Sequence, residues 1–142
     1  MKIYLASPFF KPEEIAVVDL AEKTLRQKGL DVWSPRENEA RDAGEFGSPS
    51  WAKATFEMDF NAISECDVMV VLYHGNYSDS GTAWECGAAY ALKKPVVLVH
   101  VHDDNSNIMM HVSAHANVQG IHGLGEYDFD SLLPISYEGS MI

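Results

Sequence analysis

Three acids in this chain are placed so that chemistry at a sugar comes first to consideration. In "DSGTAWECGAAYAL", Asp79 to Leu92, Glu85 follows Asp79 by six residues, among side chains small enough to admit a ligand. A third acid, Asp59, lies in "FEMDFNAI". Two or three carboxyl groups in one cleft suit glycosyl transfer, in which one attacks an anomeric carbon and another handles a proton. The segment around Glu85 reads as the opening of a helix. Partial positive charge there favours an ionised carboxylate by about 0.3–1 kcal/mol, and a nucleophilic carboxylate must be ionised. An ordinary first-turn acid serving the helix dipole accounts for Glu85 alone equally well.

Other chemistries find less support. No glycine-rich fingerprint follows the first apolar run, and no phosphate-cradling loop ends in lysine, so neither a dinucleotide nor a nucleoside-triphosphate cofactor is expected. His111 and His115 stand four apart, but no acid sits between them as in a helical zinc site, and His100 and His102 read as strand histidines. No metal is expected. Cys66 and Cys86 form no framework, and Cys86 reads more readily as a small buried thiol than as a nucleophile. No serine occupies a nucleophile elbow. The net charge of −11, with lysines and arginines scattered, argues against nucleic acid or an anionic membrane as partner. No apolar run nears the roughly 18–20 residues of a membrane span, and "MKIYLASPFF" lacks the core of a signal peptide. A cytoplasmic protein of one domain, 1–142, is expected.

The elements that must position the acids can be read coarsely. Residues 2–6, 31–35, 67–73 and 95–101 are apolar runs of strand length. Helices are expected over 12–29, from Ser50 or Trp51 to Cys66 with Ser50 as N-cap, and through Glu85. Residues 38–50 form a polar, glycine-bearing loop. The tail should hold a short helix near 106–113, a strand near 117–121 and a helical turn near 128–133. Alternating strands and helices imply an α/β fold, a parallel sheet of about five strands with helices on both faces, flavodoxin-like or Rossmann-like. Ligands in such folds bind beyond the carboxyl ends of the strands. That edge carries Ser7–Phe10, Ser34–Glu39, His74–Thr82 and His102–Asn107, with Glu85 close behind.

The segment "DSGTAWECGAAYAL" resembles the signature of the nucleoside 2-deoxyribosyltransferases, and four further pieces match in order. They are Tyr4 in "KIYLASPFF", Asp59 in "FEMDFNAI", Asn107 and Met109 in "NIMM", and the terminal "YEGSMI". The resemblance implies a retaining double displacement on a 2′-deoxynucleoside. Glu85 is then the nucleophile, Asp59 exchanges a proton with the base, and Tyr4 orients Glu85. Asp79 holds sugar hydroxyls. Phe9 matches an aromatic that stacks on the base, although plain packing explains Phe9 and Trp51 as well. Glu39 falls where a family member can carry glutamine. The family also implies a homo-oligomer, a hexamer built from dimers, in which a neighbour lends Asn107 and Met109 and the carboxylate of Ile142 lies near a site. The partners implied are 2′-deoxynucleosides and free purine or pyrimidine bases, as in nucleoside salvage, and the matching pieces lean to the broader base range. Two alternatives stand beside this reading. One is an N-glycosidase of deoxynucleoside 5′-monophosphates, sharing fold and nucleophile; the other is a non-catalytic nucleotide-sensing module.

Overall fold

A computed structural model describes residues 1–76, 79–102 and 105–142. Residues 77–78 and 103–104, inside two of the loops expected at the ligand-binding edge, lie outside the described residues. The order is β1 (Lys2–Ala6), α1 (Pro12–Gln27), β2 (Asp31–Trp33), α2 (Pro49–Glu65) and β3 (Val68–Tyr73), then α3 (Ser80–Ala91), β4 (Val96–His100), α4 (Ile108–Ser113), β5 (Ala116–Gln119) and α5 (Gly120–Glu126). The five strands form one parallel sheet in the order β2-β1-β3-β4-β5. This is the expected α/β class.

Alternation along each strand divides the core in two. Ile3, Leu5, Val70 and Val99 pack with Val18 and Leu25 of α1 and Leu124 of α5. Tyr4, Ala6, Met69 and Leu98 face the other way and pack with Ile63 of α2, Cys86 of α3 and Met110 of α4. β3 and β4 are buried along their full length, as their unbroken apolar runs require. The period of two thus sends Tyr4 into the layer that holds α2 and α3.

Three boundaries differ from the sequence reading. β2 stops at Trp33, because Pro35 has no N–H for the ladder and instead opens a 3-10 turn, Pro35–Glu37. α2 begins at Pro49, where the fixed φ suits the first helical position, and its N-cap is Ser48, not Ser50. The Ser48 Oγ accepts from Trp51 N at 3.3 Å. In the tail, β5 ends at Gln119. Gly120, with φ of +62°, starts α5 in place of more strand, and only a turn from Asp128 to Leu132 stands where a helical turn was expected. Three glycines hid α5, which is held by burying Leu124 rather than by propensity.

Past α5 the chain returns along the sheet. Ile135 bridges to Ala116, Met141 bridges to Ser106, and Ile108 N donates to Ile142 O at 3.0 Å. Tyr137 is sandwiched between the buried rings of His100 (4.5 Å, 17°) and His111 (4.6 Å, 35°). Its hydroxyl lies over Gly139, where a Cβ would come within 2.3 Å of it, so the Tyr-Glu-Gly sequence has a steric reason. Among the described residues, no helix is long and apolar enough to cross a membrane.

Candidate active site

Tyr4 and Glu85, 81 residues apart, meet across the β1–α3 layer, where the Tyr4 hydroxyl donates to Glu85 Oε1 at 3.0 Å. Glu85 is the sixth residue of α3. Two free N–H groups at the start of that helix are taken by the Asp79 side chain, which accepts from Gly81 N (3.3 Å), Thr82 N (2.9 Å) and also Thr82 Oγ1 (2.7 Å). The dipole fades within the first turn. It therefore does not set the charge on Glu85, contrary to the sequence expectation.

Burial sets it instead. Desolvation pushes the Glu85 carboxyl up to about 7; the hydrogen bond from Tyr4 pulls it down, while the charges of Asp59 and Asp79 add to the rise. Asp59, projecting from α2, is pushed up to about 6 by burial. Its Oδ1 is sealed from solvent without a hydrogen-bond partner. Burial, then the Glu85 charge, holds the Tyr4 hydroxyl far above its ordinary range, so it remains a donor. Glu85 and Asp59 line one cavity of 330 Å³, whose aromatic wall is Phe56, Phe60 and Trp84. Trp84 meets Phe56 edge-on at 5.3 Å, while half its surface stays exposed. These aromatics escaped the sequence reading; their signal was the i, i+4 spacing of Phe56 and Phe60 beside Asp59.

Asp79 lines two larger clefts. One, of 750 Å³, lies between the β1–α1 and β3–α3 connections and holds Phe10, Lys11, His74, Asn76 and Ile142. The other, of 690 Å³, lies between α3 and α4 and holds Tyr90, Asn107 and Met109. Thus Tyr4, Asp59, Glu85 and Asp79 form one group, and Ile142 reaches it through the Asp79 cleft. Asn107 and Met109 lie on the other flank of α3. Asn107 caps α4 by accepting from Met109 N at 2.9 Å and donates from Nδ2 to Asn76 Oδ1 at 3.0 Å; Met109 is 74% exposed.

Phe9 is half-buried against the α1 side of the core and stacks on Phe10 at 5.5 Å, so the ring that faces the cleft is Phe10. Glu14 fixes that loop by accepting from Phe10 N (2.8 Å) and Lys11 N (3.0 Å). Glu39 is exposed, 3.8 Å from Arg41, and lines none of these three clefts. Three of the histidines are held by the protein itself: His100 by Asn117 (2.9 Å), His111 by Ser106 (3.0 Å) and His115 by the carbonyl of Leu132 (2.7 Å). Burial pushes the Cys86 thiol up to about 11, so it is no thiolate at neutral pH.

Known proteins resemble this chain in sequence and fold. The family model described as nucleoside 2-deoxyribosyltransferase matches residues 3–130. A nucleoside deoxyribosyltransferase from Limosilactobacillus fermentum is 38% identical over 69% of this chain, a match spanning 64% of that relative's length. The solved structure of a 2-deoxyribosyltransferase from Bacillus psychrosaccharolyticus superposes with a TM-score of 0.91 at 41% identity, covering 97% of this chain and 100% of that one. A CMP N-glycosidase from Clostridium botulinum, 18% identical with a TM-score of 0.62 over 89% of this chain and 96% of its own, shares the fold. The chain belongs to the nucleoside 2-deoxyribosyltransferase family.

Proposed function

We propose that the protein exchanges the 2-deoxyribosyl group between nucleobases, through a covalent deoxyribosyl ester on Glu85. A Glu85 carboxylate oxygen attacks C1′ of a 2′-deoxynucleoside. The C1′–N bond breaks, its electron pair leaves with the base, and Asp59 gives that base a proton. A second base then attacks C1′, the ester bond breaks, Glu85 is regenerated and Asp59 takes the proton back. Two inversions give net retention. Lack of the 2′-hydroxyl removes an electron-withdrawing group and eases the cationic transition state. Tyr4 holds Glu85 in line. Asp79, with lone pairs left after capping α3, accepts from sugar hydroxyls, and an aromatic of the Phe9–Phe10 pair stacks on the base.

One observation carries this reading. A buried glutamate with an orienting hydroxyl 3.0 Å away shares an apolar cavity with a second, partly protonated acid. Family membership supports the same chemistry. The 5′-monophosphate N-glycosidase is the second reading, since water can complete the reaction in the second base's stead. The cleft beside Asp79 speaks against it. Lys11 is there, but so are Glu13, Glu14 and Asp79, a lining that repels phosphate.

Asn107 and Met109 complete a neighbour's site in this proposal, within a hexamer of dimers. Exposed Met109, Val112, Tyr90 and Trp84 around α3 and α4 supply apolar surface for such contacts. The setting proposed is cytoplasmic nucleoside salvage. The direct assay mixes purified protein with 2′-deoxyinosine and adenine and separates the products. New 2′-deoxyadenosine with hypoxanthine is expected; free base without a new nucleoside supports the hydrolase. Glu85→Ala should lower exchange by about 10³-fold or more, and an unchanged rate would remove Glu85 from the mechanism.

A further inference from the structure

The cavity shared by the two acids lies between α2 and α3 and has an inner and an outer part. α2 gives it Asp59 with Phe56 and Phe60, and α3 gives it Glu85 with Trp84. Ile63 follows Asp59 at four-residue spacing and is buried, and fully buried Tyr4 holds Glu85, so the acids stand at the inner end. Phe56 and Trp84 are about half exposed, so the rings stand at the mouth. Besides the two carboxyls, the Trp84 indole N–H is the one hydrogen-bonding side-chain group in the lining, among the described residues.

The three rings are ordered relative to one another. Phe56 and Phe60 lie nearly parallel, 5° apart with centroids at 6.0 Å. Trp84 stands across both, at 65° and 5.3 Å from Phe56 and at 62° and 6.3 Å from Phe60. Together they make a corner. A flat ring laid against either side of it stacks on one surface and meets the other edge-to-face, the two arrangements that aromatic groups prefer. Contiguous exposed apolar surface of this kind marks a place of contact, whereas single exposed rings do not. The cavity, at 330 Å³, is near the small end of ligand pockets, which suits one ring system rather than a whole nucleotide.

We propose that Phe56, Phe60 and Trp84 bind the nucleobase beside Asp59 and select it by the area of its rings rather than by its hydrogen-bonding pattern. The proposal rests on the transferase reading above. In that reading the base exchanges a proton with Asp59 while C1′ bonds to Glu85, so the C1′–N bond spans the two acids and the base lies in the aromatic part of their cavity. Phe10 lines the cleft on the Asp79 side, so this wall is a second aromatic surface, on the Asp59 side. Stacking tolerates any base, because every base has a flat face, and it grows with the area covered. Bicyclic bases therefore bind more tightly than monocyclic ones, and adenine and hypoxanthine are treated alike.

The test uses the full-length protein with Phe56→Leu, Trp84→Leu and Trp84→Phe; both positions are about half exposed, so these changes leave the core intact. Binding of adenine, hypoxanthine and cytosine is measured by calorimetry, and exchange kinetics give KM and kcat for each base as acceptor. Size-exclusion chromatography and melting temperatures follow assembly and fold. Leucine is apolar but has no flat face. Each leucine variant should raise Kd and KM for both purines about 10-fold, raise those for cytosine less, and leave kcat nearly unchanged. Trp84→Phe removes the indole N–H but keeps a ring, and should retain most of the affinity for both purines. Unaltered base affinities in both leucine variants overturn the inference, as does a loss confined to variants with altered assembly. Selective loss of hypoxanthine in Trp84→Phe also overturns it, because the indole N–H would then be reading the base. Base binding that responds as expected, in a protein that forms no new nucleoside, overturns the transferase reading alone.

Discussion

Two carboxyl groups in one apolar cavity do not ionise independently. With Asp59 pushed up to about 6 and Glu85 to about 7, the pair holds two protons in acid, one between these values and none above them. The proposed chemistry needs the singly protonated state with the proton on Asp59 and Glu85 ionised, the minor arrangement of that state, because Glu85 holds its proton the more tightly. The pH profile of kcat/KM should therefore be bell-shaped, with limbs near 6 and 7, and Asp59→Asn should abolish the alkaline limb. Steady-state rates from pH 5 to 9 provide the check. Stability carries the opposite mark. Because the folded value of Glu85 lies above its ordinary 4.5, its folded form holds the proton more tightly than the unfolded chain does, and stability falls as pH rises from about 4.5 through about 7. Glu85→Gln should stabilise the protein by roughly 1–3 kcal/mol at pH 8 and by almost nothing near pH 4.5. Melting curves at both pH values would expose the difference. A gain in stability with loss of turnover is the expected signature of a functional site.

At the scale of elements, the acids are only as well placed as the connections that carry them. The turn after β2 is tied to α1 by a nearly buried pair. Arg36 Nε donates to Glu22 Oε1 at 2.7 Å, its Nη2 donates to Glu22 Oε2, and Glu22 is 2% exposed. Arg36→Met leaves that carboxylate without its cation and should destabilise the fold by about 3–5 kcal/mol, measured by denaturant titration. Glu22→Gln added to Arg36→Met should recover part of the loss. Much at this scale was legible in the chain itself. The unbroken apolar runs of β3 and β4, and proline followed by acids at the head of α1, mark elements without any partner in view. α5 was not, because Gly120, Gly123 and Gly125 argue locally against a helix that only the burial of Leu124 sustains. Phe9 and Phe10 show the same limit. Sequence marks an aromatic pair at the right edge, but packing against α1 decides which ring faces the cleft.

Across the whole molecule, the β1–α1 loop and the returning tail meet at the large cleft. The β1–α1 loop brings Phe10 and Lys11 to it, and the returning tail brings Ile142. The tail is fastened by Tyr137 between His100 and His111, and a side chain at position 139 would collide with its ring. Gly139→Ala should expel Tyr137, cost about 1–3 kcal/mol, and lower kcat/KM by freeing Ile142 from the cleft. Thermal melting and the exchange assay would report the two effects separately. A variant as stable and active as the parent would leave the tail without this role.

Sequence alone determined the fold class, since strand and helix periods are local properties, and it determined which acids deserve notice, since their motif survives as a string. Tertiary structure decided their chemistry. The proton affinity of Glu85 depends on burial and on Tyr4 and Asp59, which are near it only after the β1, α2 and α3 layers have packed. Helix-end electrostatics, read along the string, favoured a freely ionised glutamate. Desolvation, a property of the packed layers, raised its proton affinity instead.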